Sequence, residues 1–119
     1  MTSGGRIILF STTQCTASTV TPNYLAYVSS KGAIEQMTRA LSKDLARKGI
    51  MVNAVSPGPT ATDLFMKGKS EQVLKTIAGF NPQGRIGKPE EIADAVAILS
   101  SEASSWVTGQ VLRVNGGHA

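Results

Sequence analysis

Gly49-Ile50-Met51-Val52-Asn53-Ala54-Val55 followed by Ser56-Pro57-Gly58-Pro59 puts a helix stop, a continuous apolar run and a chain break next to one another. A short apolar run of this kind, bounded by breakers, reads as a strand buried on both faces. Upstream, residues 25–47 carry a helical pattern whose apolar stripe is Ile34, Met37, Leu41 and Leu45, and Gly49 ends it. Further upstream, a polar loop from Thr13 to Asn23 separates that helix from Arg6-Ile7-Ile8-Leu9-Phe10-Ser11-Thr12, a second apolar run that also reads as a strand buried on both faces. Strand, helix and strand at these spacings predict a parallel βαβ unit, right-handed by the usual chirality.

Downstream, residues 62–80 read as short helices and loop. Lys88-Pro89-Glu90-Glu91 opens another helix, because proline suits the first helical position and carboxylates suit the positive end of the helix dipole. Ile92, Val96 and Leu99 give it a core face, and Val111-Leu112-Arg113-Val114 reads as a last strand. The expected fold is α/β: one domain over 1–119, built on part of a doubly wound parallel sheet. Three strands are only a piece of such a sheet, and the first begins too early for a preceding βα turn, so the architecture reads as incomplete.

Composition excludes several function classes. The 119 residues are 41% hydrophobic and 17% charged, ordinary for a globular α/β chain. Twelve basic and eight acidic residues give a net charge of +4, but they are scattered, with no basic block or aromatic interleaving. No nucleic-acid partner is expected. One cysteine, Cys15, excludes an internal disulfide, and one histidine, His118, leaves no metal cluster. Apolar segments stop short of membrane-spanning length and no signal-peptide core opens the chain, so a soluble protein of a reducing, cytoplasmic compartment is expected.

Tyr27-Val28-Ser29-Ser30-Lys31 places a phenol and an ammonium four residues apart, on one face of the long helix. A free phenol titrates near pH 10 and is a poor acid or base at neutrality. A cation ~4 Å from it favours the phenolate by as much as ~4 kcal/mol at an effective dielectric of ~20, partly offset by desolvation. The pair is therefore an acid/base candidate. Alone it is also a spacing that chance supplies on a solvated helix face.

The segments around the pair raise its weight. Gly5-Arg6-Ile7-Ile8, Tyr27 with Lys31, Lys48-Gly49-Ile50-Met51-Val52-Asn53, Pro57-Gly58 followed by Thr62, Arg85-Ile86-Gly87-Lys88-Pro89-Glu90-Glu91-Ile92 and Val107-Thr108-Gly109-Gln110 occur in an order that resembles the short-chain dehydrogenases/reductases (SDR) over nearly the whole chain. The pattern is most similar to fungal-type naphthol or versicolorin reductases and to 3-oxoacyl-[acyl-carrier-protein] reductases. The resemblance implies the C-terminal half of a Rossmann-like sheet, and NADP or NAD as cofactor with NADP favoured.

It also implies that a carbonyl and an alcohol are interconverted by hydride transfer, with Tyr27 as general acid/base and Lys31 favouring the phenolate and bonding the nicotinamide ribose. A substrate-orienting hydroxyl, usually Ser, is expected fourteen residues before the tyrosine. That position holds Thr13, with Ser11 the alternative. Pro57, Gly58, Thr60 and Thr62 would meet the nicotinamide end of the cofactor, although Thr62 also suits a helix cap. Leu64, Phe65 and Met66, in a segment of about 62–80, would form an apolar lid over a small hydrophobic carbonyl or alcohol. A homo-oligomer through the helix carrying Tyr27 and Lys31 is implied as well.

The glycine-rich turn that should follow a first strand and open a helix does not occur in these residues, nor does the asparagine expected to complete a tetrad with the tyrosine, lysine and hydroxyl. The isolated chain is thus expected to bind NAD(P)H poorly and to turn over slowly. A non-catalytic fragment acting through its helix interface is the alternative. A serine hydrolase would need a Gly-x-Ser-x-Gly elbow, which is absent, and His118 is expected to be frayed.

Overall fold

In the computed structural model, which describes residues 4–119, three parallel strands form one sheet in the order β1 (Arg6–Phe10), β2 (Met51–Pro57) and β3 (Val111–Val114). Arg6 pairs with Met51 and Phe10 with Val55, while Ala54 pairs with Val111. Helix α1 (Leu25–Leu45) joins β1 to β2. The return to β3 runs through α2 (Asp63–Met66), α3 (Glu71–Ala78) and α4 (Pro89–Ser100). This is the partial Rossmann-like α/β sheet that the strand–helix–strand pattern predicts.

The central strand holds the core. Every residue from Val52 to Ser56 is buried, so both faces of β2 are covered, and α1 and α4 are helices that pack against it. Val52 and Val55 are fully buried, each contributing about 1.5–3 kcal/mol by leaving water. Among the described residues no helix is long and apolar enough to cross a membrane.

Two packing expectations are corrected. β1 is not buried on both faces: it is an edge strand of half-buried residues ending in Phe10, which is 44% exposed. Among the described residues its far side has no neighbouring strand in the sheet. In helix α1 three residues of the apolar stripe, Ile34, Leu41 and Leu45, are half-buried, but the most deeply buried positions lie beside them and Met37 falls outside the packed face. Thr38 and Ser42 are buried while Met37 is 48% exposed. The small hydroxyl residues bury without penalty because Thr38 Oγ1 donates to the Ile34 carbonyl and Ser42 Oγ to that of Arg39. A bulkier residue at 42 would meet the loop before β3, where a Cβ on Gly109 would lie 2.7 Å from Ser42 Oγ.

Asn53, wholly buried on β2, serves that loop. Its Nδ2 donates to the Val107 carbonyl at 2.9 Å, and its Oδ1 accepts from the Gln110 N–H at 3.0 Å. Thr108 Oγ1 accepts from Val52 N. The segment Val107–Gln110 is thereby fixed as the lead-in to β3.

The start of α4 is clamped by one carboxylate. Glu91 receives both guanidinium nitrogens of Arg85, at 2.7 and 2.8 Å, and the backbone N–H of Lys88 at 2.9 Å. The Arg85 hydrogen bond first, and then that of Lys88, hold the carboxyl at about 2 against an ordinary 4.5. A lowered carboxyl pKa stabilises the fold above the unfolded value and ceases to do so as pH falls through the folded one. Glu91 is therefore expected to stay ionised well below pH 4.5 in a carbon-detected NMR titration, and an ordinary midpoint would mean the clamp does not form.

Candidate active site

Parallel strands deliver their carboxyl ends to one edge of the sheet, where ligands of open α/β folds bind. Here the chain leaves β1 into Ser11, Thr12 and Thr13, all buried, and leaves β2 at Pro57 into Gly58-Pro59-Thr60. Between them lies a cavity of about 340 Å³. It gathers Tyr27 from α1, Ser11 and Thr13 from the first loop, and Pro57, Gly58, Thr60 and Thr62 from the second, together with Phe65. A second hollow of about 360 Å³, beside Arg85 and Arg113, has no hydroxyl or phenol in its walls and contains none of the predicted site residues.

Tyr27 and Lys31 share the inward side of α1 with Thr38, at the spacing of one helical face. Tyr27 is 46% exposed and lines the cavity, its ring tilted against Tyr24 at 6.3 Å. Lys31 does not line it: Nζ donates to the Phe10 carbonyl at 3.0 Å, tethering the helix to the end of β1.

Three successive hydroxyls differ in what they have left to offer. Ser11 Oγ donates to the Glu35 carboxylate and lies near the Lys31 carbonyl, so it is turned toward the helix. Thr13 Oγ1 accepts from Asn115 Nδ2 at 3.0 Å and lies 3.4 Å from the Ser56 carbonyl, the acceptor for its proton. Thr12 Oγ1 only accepts, from Gln14 N at 3.3 Å, and its proton has no partner among the described residues. Thr12 lines the cavity with the other two and was missed in the sequence because the count of fourteen from Tyr27 singles out its neighbour.

The second loop is rigidly held. Thr60 Oγ1 donates to the Gly58 carbonyl, and the backbone of Pro59 and Ala61 exchanges two hydrogen bonds with Gly87, at 2.9 and 2.8 Å. Gly58 is required by packing: a Cβ there would fall 2.7 Å from Cβ of Asn115. Thr62 caps α2, accepting from Phe65 N at 3.2 Å, which leaves its proton free. Of the three apolar lid candidates only Phe65 faces the cavity. Leu64 is 85% exposed and Met66 lies on the surface at 38%.

Residues from the far end of the chain complete the walls. Asn115 orients Thr13, and His118, expected to be frayed, lines the cavity with Nε2 3.0 Å from Thr19 Oγ1. Gln14 and Tyr24 join them. The Asn115-Gly116-Gly117 turn was the available signal, since its glycines take positive φ and allow the chain to fold back.

A family profile described as "Enoyl-(Acyl carrier protein) reductase" matches residues 1–119. NADPH-dependent aldehyde reductase 2, chloroplastic, of Arabidopsis thaliana is 45% identical over 114 residues, 96% of this chain and 41% of that protein. A short-chain type dehydrogenase/reductase of Picea abies is 46% identical over 114 residues, with the same shares. The crystal structure of a short chain dehydrogenase family protein from Francisella tularensis superposes with a TM-score of 0.89 at 37% identity, covering 98% of this chain and 52% of that one. The chain thus spans less than half the length of these two plant relatives. A match from the first residue to the last, at this identity and on this fold, makes the chain a member of the short-chain dehydrogenase/reductase family.

Proposed function

We propose that the chain supplies the catalytic half of an NAD(P)(H)-dependent oxidoreductase that interconverts a carbonyl and an alcohol, with NADP favoured. The observation that carries this reading is the placement of the Tyr27 phenol, which makes no hydrogen bond within the described residues, in one cavity with Thr12, Thr13, Thr60 and Thr62 at the carboxyl ends of β1 and β2. When bound, a nicotinamide supplies the hydride. The chain's own residues handle the oxygen and its proton. Tyr27 donates its proton to the substrate oxygen during reduction and takes it back during oxidation.

Thr13 holds that oxygen, or Thr12 does so in its place, the latter favoured by its uncommitted proton. Pro57, Gly58 and Thr60 offer backbone to a carboxamide, and Thr62 keeps a proton to donate to a carboxamide or phosphate. Lys31 would leave the Phe10 carbonyl to reach a ribose. These residues fit the nicotinamide end of a dinucleotide. No glycine-rich βα turn lies among them for its pyrophosphate, so the 119 residues alone are expected to bind weakly.

The chloroplastic relative is named for NADPH-dependent aldehyde reduction, which supports the same assignment. A second copy is expected to pack against the exposed surface of α1, on which Leu25 and Met37 offer apolar area. The same face would serve a non-catalytic fragment. Calorimetric titration of the purified chain with NADPH and NADH, followed by aldehyde-dependent loss of the reduced cofactor, tests the proposal. Weak binding with slow, aldehyde-dependent oxidation is expected, and binding without any aldehyde-dependent oxidation would favour the non-catalytic reading.

A further inference from the structure

We propose that Glu35 is a positioning residue of the site: its carboxylate holds the Ser11 hydroxyl and thereby sets the loop Ser11-Thr12-Thr13 in register with the Tyr27 phenol. Glu35 lies four residues after Lys31 and eight after Tyr27, on one face of α1. It is half-buried and stands behind the cavity wall rather than in it. Ser11 Oγ donates to this carboxylate across 24 residues of sequence. Ser11 is itself buried and lines the 340 Å³ cavity together with Thr12, Thr13 and Tyr27.

Opposite charges grip the end of β1. Lys31 Nζ donates to the Phe10 carbonyl at 3.0 Å, and Glu35 accepts from Ser11, the next residue. A lysine and a glutamate one turn apart on a helix ordinarily attract each other. Among the described residues they form no ion pair, and each engages the strand end instead. A hydrogen bond to an ionised acceptor is about twice as strong as one between neutral groups, which makes Ser11 to Glu35 the strongest side-chain link from the first loop to α1. The others are Cys15 Sγ to the Val28 carbonyl at 3.7 Å and Ser11 Oγ beside the Lys31 carbonyl at 3.5 Å.

The two grips have different fates in the reaction, and the assignment rests on the carbonyl-reductase reading. Lys31 leaves the Phe10 carbonyl when it turns to a ribose, and it then no longer ties α1 to β1. Glu35 stays. Its hold on Ser11 fixes where Thr12 and Thr13, the next two residues, stand relative to Tyr27. Because Ser11 gives its proton to the carboxylate, it has none left for a substrate oxygen, and the orienting role falls to Thr12 or Thr13. A misplacement of ~1 Å between reacting groups can lower a rate by about 10²-fold. A loosened loop that still visits its correct place should lose less.

The hold can be tested in the chain without cofactor. Hydrogen exchange at the amides of Cys15, Thr16 and Ala17, which bond back to the Thr12 and Thr13 carbonyls, reports the order of the loop. Glu35→Ala and Ser11→Ala are each expected to speed it roughly 10-fold, while Glu35→Gln, which keeps an acceptor oxygen at the same reach, stays within about twofold of wild type. The Ala54 amide, in the central strand, should not change. The double variant Ser11→Ala/Glu35→Ala should exchange no faster than either single one, since both remove the same bond. Unchanged exchange in Glu35→Ala overturns the proposal, as does a loop as loose in Glu35→Gln as in Glu35→Ala, or additive effects in the double variant. Should Glu35→Ala fail to fold, Ser11→Ala decides by the same measurement. Aldehyde-dependent oxidation of NADPH at saturating cofactor gives the functional arm: Glu35→Ala should lower kcat about 10-fold with NADPH affinity unchanged, and Glu35→Gln should restore it. A loss confined to NADPH affinity would make Glu35 a cofactor-binding residue and overturn the positioning role. A wild-type chain without turnover counts against the carbonyl-reductase reading, and the exchange measurements still decide whether Glu35 holds the loop.

Discussion

Tyr27→Phe is expected to lower carbonyl reduction by roughly 10²- to 10⁴-fold, the range that a positioned general acid contributes. The substitution removes one hydroxyl and keeps the ring. That ring packs against Tyr24 at 6.3 Å, and the hydroxyl makes no hydrogen bond within the described residues, so little stability depends on it. The loss should therefore appear in kcat with an unchanged melting temperature. Single-turnover reduction with NADPH is the measurement, made on the chain completed with the remainder of the 45%-identical Arabidopsis reductase. A drop of less than tenfold would remove Tyr27 from proton transfer. It would direct attention to the hydroxyls of Thr12 and Thr13.

The second large effect concerns stability rather than turnover. Asn53→Ala is expected to destabilise the chain by about 2–4 kcal/mol, because it leaves the Val107 carbonyl and the Gln110 N–H without their partner and opens a cavity in the central strand. Against a total of about 5–15 kcal/mol for a domain, this is a large fraction. Asn53→Asp keeps the acceptor for Gln110 and loses the donor to Val107, and it adds a buried charge that desolvation opposes. Both variants should shift the urea midpoint to lower concentration. An alanine variant within about 0.5 kcal/mol of wild type, the scatter of surface changes, would show that water replaces the side chain at no cost.

Much of this fold could be read in advance because its elements carry local signals. Gly49 takes a left-handed φ of 71° where the helix pattern stops, Pro89 and Glu91 open α4, and the apolar run at 51–55 becomes the buried centre of the sheet. The deepest positions of α1, Thr38 and Ser42, are not legible in its periodicity because threonine and serine count as polar, whereas their hydroxyls are satisfied inside the helix at Ile34 and Arg39. β1 reads as a central strand because its residues are apolar. Whether a strand has one neighbour or two is decided by the rest of the sheet, not by the strand.

The candidate site divides along the same line. Tyr27, Thr13, Thr60 and Thr62 carry motif spacing and meet in one cavity. Gln14 and His118, which line it, and Asn115, which orients Thr13, carry none: Asn115 and His118 are brought in by tertiary contact with Thr13 and Thr19, and Gln14 by the turn that Thr12 caps. Lys31 shows the converse, a residue on the correct helix face whose ammonium is engaged by a main-chain oxygen.

The hydrogen bond from Asn115 to Thr13 spans 102 residues of sequence. Closing a loop of that length carries an entropic cost that grows with the logarithm of its size, and parallel pairings are slow to form. β1, α1 and β2 can collapse as a unit before β3 arrives. The orientation of the Thr13 hydroxyl is then among the last features of the molecule to be set, and is acquired when residues 109–119 dock. The full hydrogen bonding of Thr13, to Ser56 and from Asn115, is therefore expected to be complete only at the last step of folding.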